Sequence, residues 1–184
     1  MKVAICSYGA GNTRSVQLAF ERLGVRADVV DNADDLNGAD LAVLPGVGSA
    51  RSAIAGLRRR GLDEALRERA AAERPILGIC LGLQLALDET EEDGGVEALG
   101  LVPGRAVRLR AKRVPRIGWA PLDGDGETYW YAHSFVAETP AATATSEGLT
   151  AIVEHGSFIG VQFHPEKSGA AGARFLATRC LSLA

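Results

Sequence analysis

The 184 residues carry 20 basic and 23 acidic side chains, a formal net charge of −3, and 47% of them are hydrophobic. A chain of this length can bury a core as one ordinary domain without metals or disulfides, so residues 1–184 are expected to form a single domain. The balanced charge, with no dense basic stripe among aromatics, argues against a nucleic-acid partner; no apolar stretch reaches membrane-spanning length or has the form of a signal peptide, so a cytoplasmic protein is expected.

Strand and helix alternate through the first half. Val3 to Cys6 reads as a strand, and after the break at Gly9 and Gly11 the apolar positions Val16, Ala19, Phe20 and Leu23 keep helical spacing up to Gly24. Ala27 to Val30 and Leu41 to Leu44 are the next strands, the second ending at Pro45-Gly46-Val47-Gly48. Ser49 can then cap a helix running towards Arg59. A further helix begins near Leu62 and ends before Pro75, and Ile76 to Ile79 is an apolar strand of the kind buried on both faces of a parallel sheet. The pattern predicts an open, mixed but mostly parallel α/β sheet flanked by helices, with ligands binding beyond the C-terminal strand ends.

The second half changes character. Short β-like runs at Ala106 to Leu109, Ile117 to Trp119, Thr128 to Tyr131, Ala142 to Ser146, Ala151 to Glu154 and Ser157 to Gln162 are most simply read as antiparallel strands added to the sheet. Asp88 to Gly95 reads as a solvated loop, and Ala173, Leu176, Ala177, Cys180 and Leu181 form an amphipathic helical stripe.

Three cysteines, Cys6, Cys80 and Cys180, have no metal-ligand spacing and suit reduced thiols. Cys6 and Cys180 read as core. Cys80 differs, because Gly78-Ile79-Cys80-Leu81-Gly82 has the shape of a nucleophile elbow, a sharp strand-to-helix turn that leaves the central residue strained and exposed at the top of a sheet. A helix starting immediately after it aims its positive end at the sulfur and favours thiolate.

A thiol nucleophile needs a base, and three histidines are available, ranked His164, then His133, then His155. His164 follows an apolar strand, Pro165 turns the chain after it, and Glu166 stands two residues on, where it can hold the imidazole in one tautomer. His133 reads as a structural hydrogen-bonding residue and His155 as part of a hairpin turn.

Gly78-Ile79-Cys80-Leu81-Gly82-Leu83-Gln84 together with Gly160-Val161-Gln162-Phe163-His164-Pro165-Glu166 resembles the paired signature of class I (triad) glutamine amidotransferases, over essentially the whole chain. Tyr8-Gly9-Ala10-Gly11-Asn12, Pro45-Gly46-Val47-Gly48, Ile117-Gly118-Trp119, His133-Ser134 and Lys167-Ser168 narrow the resemblance to the glutaminase subunits of imidazole glycerol phosphate synthases. The resemblance implies a class I amidotransferase fold with a flavodoxin-like core and neither metal nor cofactor. It implies Cys80 as nucleophile, His164 as base and Glu166 as its orienter. The oxyanion hole would come from the N–H of Leu81 and from Val47 or Gly48, with Gln84, Ser134 and Phe135 holding substrate glutamine. The implied partner is a cyclase subunit with a (β/α)8 barrel, which forms a heterodimer with the glutaminase, receives the ammonia and makes imidazole glycerol phosphate; Trp119 and Lys167 would face it. In such proteins the loop at 45–48 is expected to present its oxyanion donor only when the cyclase is engaged. The sequence departs from the family's common pattern at Arg116, Ala120 and Phe135. Two other readings stand beside this one: an amidotransferase serving another synthase, such as the pyridoxal phosphate synthase glutaminase, and a non-catalytic module that kept the fold.

Overall fold

The computed structural model describes residues 1–9, 11–124 and 126–180. Ala10 of the Tyr8 to Asn12 motif and Leu181 of the C-terminal stripe lie outside the described residues.

The first half runs β1 (Lys2–Cys6), α1 (Thr13–Glu21), β2 (Arg26–Val30), α2 (Ala33–Asn37), β3 (Leu41–Leu44), α3 (Ala50–Arg59), α4 (Leu62–Ala71), β4 (Ile76–Ile79) and α5 (Leu81–Ala86). These bounds follow the periodicity closely. Ser49 caps α3 by accepting from Ser52 N–H, as its position predicts. The helix α2 goes beyond the sequence reading: it is five residues long, too short to show a helical period, and is marked by Asn32 accepting from Asp35 N–H.

The second half adds β5 (Glu89–Thr90), β6 (Val96–Glu97), β7 (Arg105–Arg108), β8 (Arg116–Pro121), β9 (Thr128–His133), β10 (Phe135–Glu138), β11 (Ala142–Ser146), β12 (Leu149–His155), β13 (Phe158–Val161) and α6 (Gly169–Phe175), which continues as a π-helical turn at Leu176–Cys180. The main sheet has the order β11-β12-β13-β4-β3-β1-β2. Its β1, β2, β3, β4 and β13 are parallel, and β11 and β12 extend it antiparallel. The second half thus supplies the expected antiparallel strands but divides them. A second sheet has the order β10-β7-β5-β6, and β8 and β9 form a separate hairpin. Alternation within a strand reports which residues face a core and says nothing about which neighbour the strand pairs with, so this division has no local signature.

The central strands are buried on both faces. Ala4 and Cys6 of β1 and Ala42 and Leu44 of β3 pack with Ala53, Ile54, Leu57 and Leu66 of α3 and α4. Val3, Ile5, Leu41 and Val43 face the opposite core, with Val16 and Phe20 of α1, Phe175 of α6 and Tyr129 and Tyr131 of the hairpin. The buried Arg69 ties the N-terminal ends of β3 and β4 together, donating to the carbonyls of Leu36, Ala39, Asp40 and Pro75.

Register decides where the loops emerge. Leu44 pairs with Gly78, and Ile79 pairs with Val161, so β3, β4 and β13 end side by side. The 45–48 loop, Cys80 and the His164 segment therefore leave the sheet at one edge.

Candidate active site

Cys80 sits between β4 and α5 with φ 52° and ψ −107°, in the positive-φ region that residues with a Cβ rarely occupy. Its N–H donates to the Val161 carbonyl at 2.7 Å, which fastens the bend to β13. Flanking glycines make the bend possible by close approach. A Cβ on Gly82 would lie 1.8 Å from the Leu44 carbonyl oxygen, and one on Gly46 would lie 2.3 Å from the Gly82 nitrogen. The elbow and the 45–48 loop are thus packed backbone against backbone. Tyr8 anchors the loop's start, donating its hydroxyl to the Pro45 carbonyl at 2.6 Å. Gly48, at φ 100°, supplies the positive-φ turn before α3.

His164, Glu166 and Cys80 come together. His164 Nδ1 lies 2.8 Å from Glu166 Oε1, and both side chains are buried, at 2% and 1% exposure. A carboxylate oxygen accepts the proton that Nδ1 carries, and Cys80 is the other group that favours the charged imidazole. Burial alone would lower the pKa of His164, but hydrogen bonds to Cys80 and Glu166 outweigh it and raise the imidazole to about 9. Glu166 Oε2 is buried without a hydrogen-bond partner among the described residues.

The other two histidines are placed elsewhere. The ring of His133 turns its Nδ1 to the Phe135 carbonyl at 2.9 Å, and burial lowers its pKa to about 4, so it is neutral at ordinary pH. His155 ends β12 on the exposed surface. Cys6 and Cys180 are buried thiols pushed up to about 12 by desolvation, as befits core.

A cavity of about 240 Å³ opens beside the elbow. Val47, Gly48, Cys80, Leu81, Gln84, Ser134 and Phe135 all line it, which gathers the expected nucleophile, oxyanion and substrate residues around one space. The Leu81 N–H is the first of α5, where no intrahelical acceptor exists for it. The carbonyls of Ser134 and Phe135 are already engaged, the first by Leu109 N–H and the second by Gln84 and His133.

The Asp88 to Gly95 segment is not merely a solvated loop. Glu92 lines the cavity and accepts from Ala50 N–H at 3.1 Å, with burial raising its carboxyl above the ordinary range. Asp93, at φ 55°, accepts from the Ser49 hydroxyl at 2.6 Å and from Arg51 N–H at 3.0 Å, which holds its carboxyl below the ordinary range. The segment reads as solvent-facing because it is acidic and rich in glycine; only the fold brings it over the first turn of α3.

Trp119 and Lys167 lie on the surface rather than in the cavity lining. Trp119 is 56% exposed and meets Trp130 edge-on at 5.8 Å. Ile117, 63% exposed, shares its face of β8 and lines the cavity, and Val47 is 38% exposed. Of the departures from the family pattern, Arg116 lies over the Tyr131 ring at 4.2 Å and donates to Ser146 Oγ and Glu147 Oε2, both at 2.8 Å. Ala120 is buried on the hairpin's inner face.

Comparison with known proteins agrees with this geometry. Residues 4–183 match the family glutamine amidotransferase class-I. The chain is 42% identical over 189 residues to imidazole glycerol phosphate synthase subunit HisH of Carboxydothermus hydrogenoformans, covering 94% of this chain and 95% of that protein. It is 40% identical over 186 residues to the protein of the same name from Methanothermobacter thermautotrophicus, covering 92% and 93%. Among solved structures, a glutamine amidotransferase superposes with a TM-score of 0.84 at 22% identity, covering 98% of this chain and 97% of that one. A chain of PurLQS from Thermotoga maritima superposes at 0.78 with 19% identity, also covering 98% and 97%. Both likenesses lie in the fold.

Proposed function

Because the chain belongs to the class-I glutamine amidotransferase family and, within it, to the glutaminase subunits of imidazole glycerol phosphate synthase, we propose that Cys80, His164 and Glu166 are its catalytic triad. The enzyme hydrolyses glutamine to glutamate and ammonia and passes the ammonia to a cyclase subunit in histidine biosynthesis. The relatives favour this acceptor over a pyridoxal phosphate synthase. A single domain spanning 1–184 is supported by the extent of the family match, and reduced, unpaired cysteines support a cytoplasmic setting.

The observation that carries the triad is His164 with its Nδ1 2.8 Å from Glu166 Oε1 and its charged form favoured by both Glu166 and Cys80, the latter held in a positive-φ elbow. The thiolate of Cys80 attacks the side-chain amide carbon of glutamine, and the oxygen takes the negative charge. That oxyanion meets the Leu81 N–H and an N–H of Val47 or Gly48; one such donor is worth roughly 10²–10³ in rate. Protonated His164 gives its proton to the departing amine, so that ammonia leaves and a γ-glutamyl thioester remains. Water then attacks the thioester, His164 takes the water's proton, and glutamate and thiolate are released. Ser134, Phe135 and Gln84 line the substrate's site. The two hydrogens of the Gln84 amide are engaged by Phe135 O and Gln162 Oε1, so its carbonyl oxygen is what it offers a ligand. Glu92 adds an acidic group to the same lining, suited to the α-ammonium of glutamine.

Val47 and Ile117 are exposed apolar residues of the cavity lining, Trp119 is exposed two residues from Ile117 on β8, and with the exposed Lys167 these are the residues offered to the cyclase. Val47 belongs both to this set and to the oxyanion loop, which supports a glutaminase that depends on its partner.

The test is glutamate release from glutamine by the chain alone and with the cyclase and its nucleotide ligand. Stimulation by the complex is expected, together with labelling of Cys80 by an electrophilic glutamine analogue and loss of both in Cys80→Ser. No glutamate from the complex and no label on Cys80 would sink the proposal.

A further inference from the structure

A line of buried amides leads from the substrate site to the sulfur of Cys80, and one backbone carbonyl fixes its polarity. The Phe135 carbonyl oxygen lies 3.0 Å from Gln84 Nε2 and 2.9 Å from His133 Nδ1. A carbonyl oxygen only accepts, so Gln84 must turn its NH₂ group towards it, and His133 must carry its proton on Nδ1. The same NH₂ of Gln84 lies 3.1 Å from the side chain of Gln162, which must therefore present its oxygen there. The opposite end of Gln162, its own NH₂, is left facing Cys80 Sγ at 3.6 Å. Turning either amide over would set oxygen against oxygen or NH₂ against NH₂. Gln84 is 3% exposed and Gln162 fully buried, so water does not relieve such a mismatch.

We infer that Gln162 is a catalytic residue of this enzyme, donating an N–H to the sulfur of Cys80 and stabilising it as thiolate. This rests on Cys80 being the nucleophile. Gln162 occupies the position after β13, two residues before His164, and the nucleophile, base and orienter set leaves it without a role. An amide NH₂ has no lone pair to offer a thiol proton. It therefore favours the charged sulfur and leaves the proton to His164. The main-chain carbonyl of Ala132, 3.8 Å from Sγ, is the competing acceptor for that proton, which sharpens the need for a donor opposite it. In the acyl-enzyme the sulfur is a thioester and a poor acceptor, so the N–H acts on the free thiolate, before attack and again as the leaving group of hydrolysis.

Gln162 is neutral at every working pH, and the titratable groups around the sulfur are few. They are His164 with Glu166 behind it, the Tyr8 hydroxyl below the 45–48 loop, and His133 and Glu92 in the cavity lining. Tyr8 is pushed well above the ordinary tyrosine range by burial, and His133 is neutral, so neither titrates near neutral pH.

The experiment is the pH dependence of Cys80 alkylation by iodoacetamide in the full-length chain, followed by peptide mass mapping, in wild type, Gln162→Met and Gln162→Glu. Methionine keeps the volume and removes the donor. Its alkylation at neutral pH is expected to fall about tenfold and its profile to move up by about one pH unit, since one unit corresponds to a tenfold change in thiolate fraction. Glutamate keeps the acceptor for Gln84 but sets an oxygen against the sulfur, and its profile is expected to move further. If Met at this position prevents folding, judged by circular dichroism, Gln162→Glu carries the test alone. Profiles of folded variants that superimpose on wild type would overturn the inference, because a packing role would not move them. Cys80 no more reactive than the buried Cys6 and Cys180 in wild type would instead overturn the nucleophile assignment, and the inference with it.

Discussion

At the scale of single residues, the site works by placing groups whose charge states are set by their neighbours. His164 owes its raised pKa to its hydrogen bonds with Cys80 and Glu166 working against burial. The imidazolium proposed to protonate the leaving ammonia is therefore present below about pH 9 and lost above it. Changing Glu166 to Gln removes one of the groups that raise it. The alkaline limb of the kcat/KM profile is then expected to move to lower pH, with the maximum reduced at least tenfold because the ring also loses its orienter. A profile with its alkaline limb in place would show that Glu166 does not support the charge. His164 and Glu166 were legible from chain order, since a strand, a proline and a carboxylate two residues on leave few other arrangements. Glu92 was not legible. Nothing in an acidic, glycine-rich stretch says that one carboxylate of it turns inward.

At the scale of elements, α3 begins directly after the 45–48 loop, the proposed source of an oxyanion donor, and its first turn is held by a segment more than forty residues away in sequence. Ser49 caps it as expected, but the Ser49 hydroxyl is itself held by Asp93, which also receives the Arg51 N–H. Asp93→Ala is expected to cost about 1 kcal/mol in denaturant unfolding, the usual worth of a helix cap. It should also reduce glutamate release by the complex, because the residues that supply the oxyanion donor lose their fixed continuation into α3. A variant with unfolding and glutamate release both unchanged would show that the contact merely decorates the surface. Ser49 could be read as a cap from its place before a helical period. That Asp93 would meet it is a contact between residues 44 apart in the chain, with no local signature.

At the scale of the whole molecule, the exposed Val47 and Ile117 also line the cavity, so the proposed docking face and the proposed active site share residues. Trp119 is the large aromatic of that face, and truncation of such an anchor commonly costs about 2 kcal/mol or more. Trp119→Ala is expected to weaken binding of the cyclase roughly 30-fold by titration calorimetry, with glutamate release recovering at higher cyclase concentration. Unchanged affinity would place the interface elsewhere. The sequence by itself determined the alternation of strand and helix, the elbow at Cys80 and the partners His164 and Glu166, because each is written in local spacing and turn chemistry. Whether Trp119 was core or surface, which sheet each later strand joined, the inward turn of Glu92 and the donor that Gln162 presents to sulfur were decided only by the tertiary structure. These depend on which strand lies beside which, and on a carbonyl at Phe135 fixing the direction of amides distant in sequence.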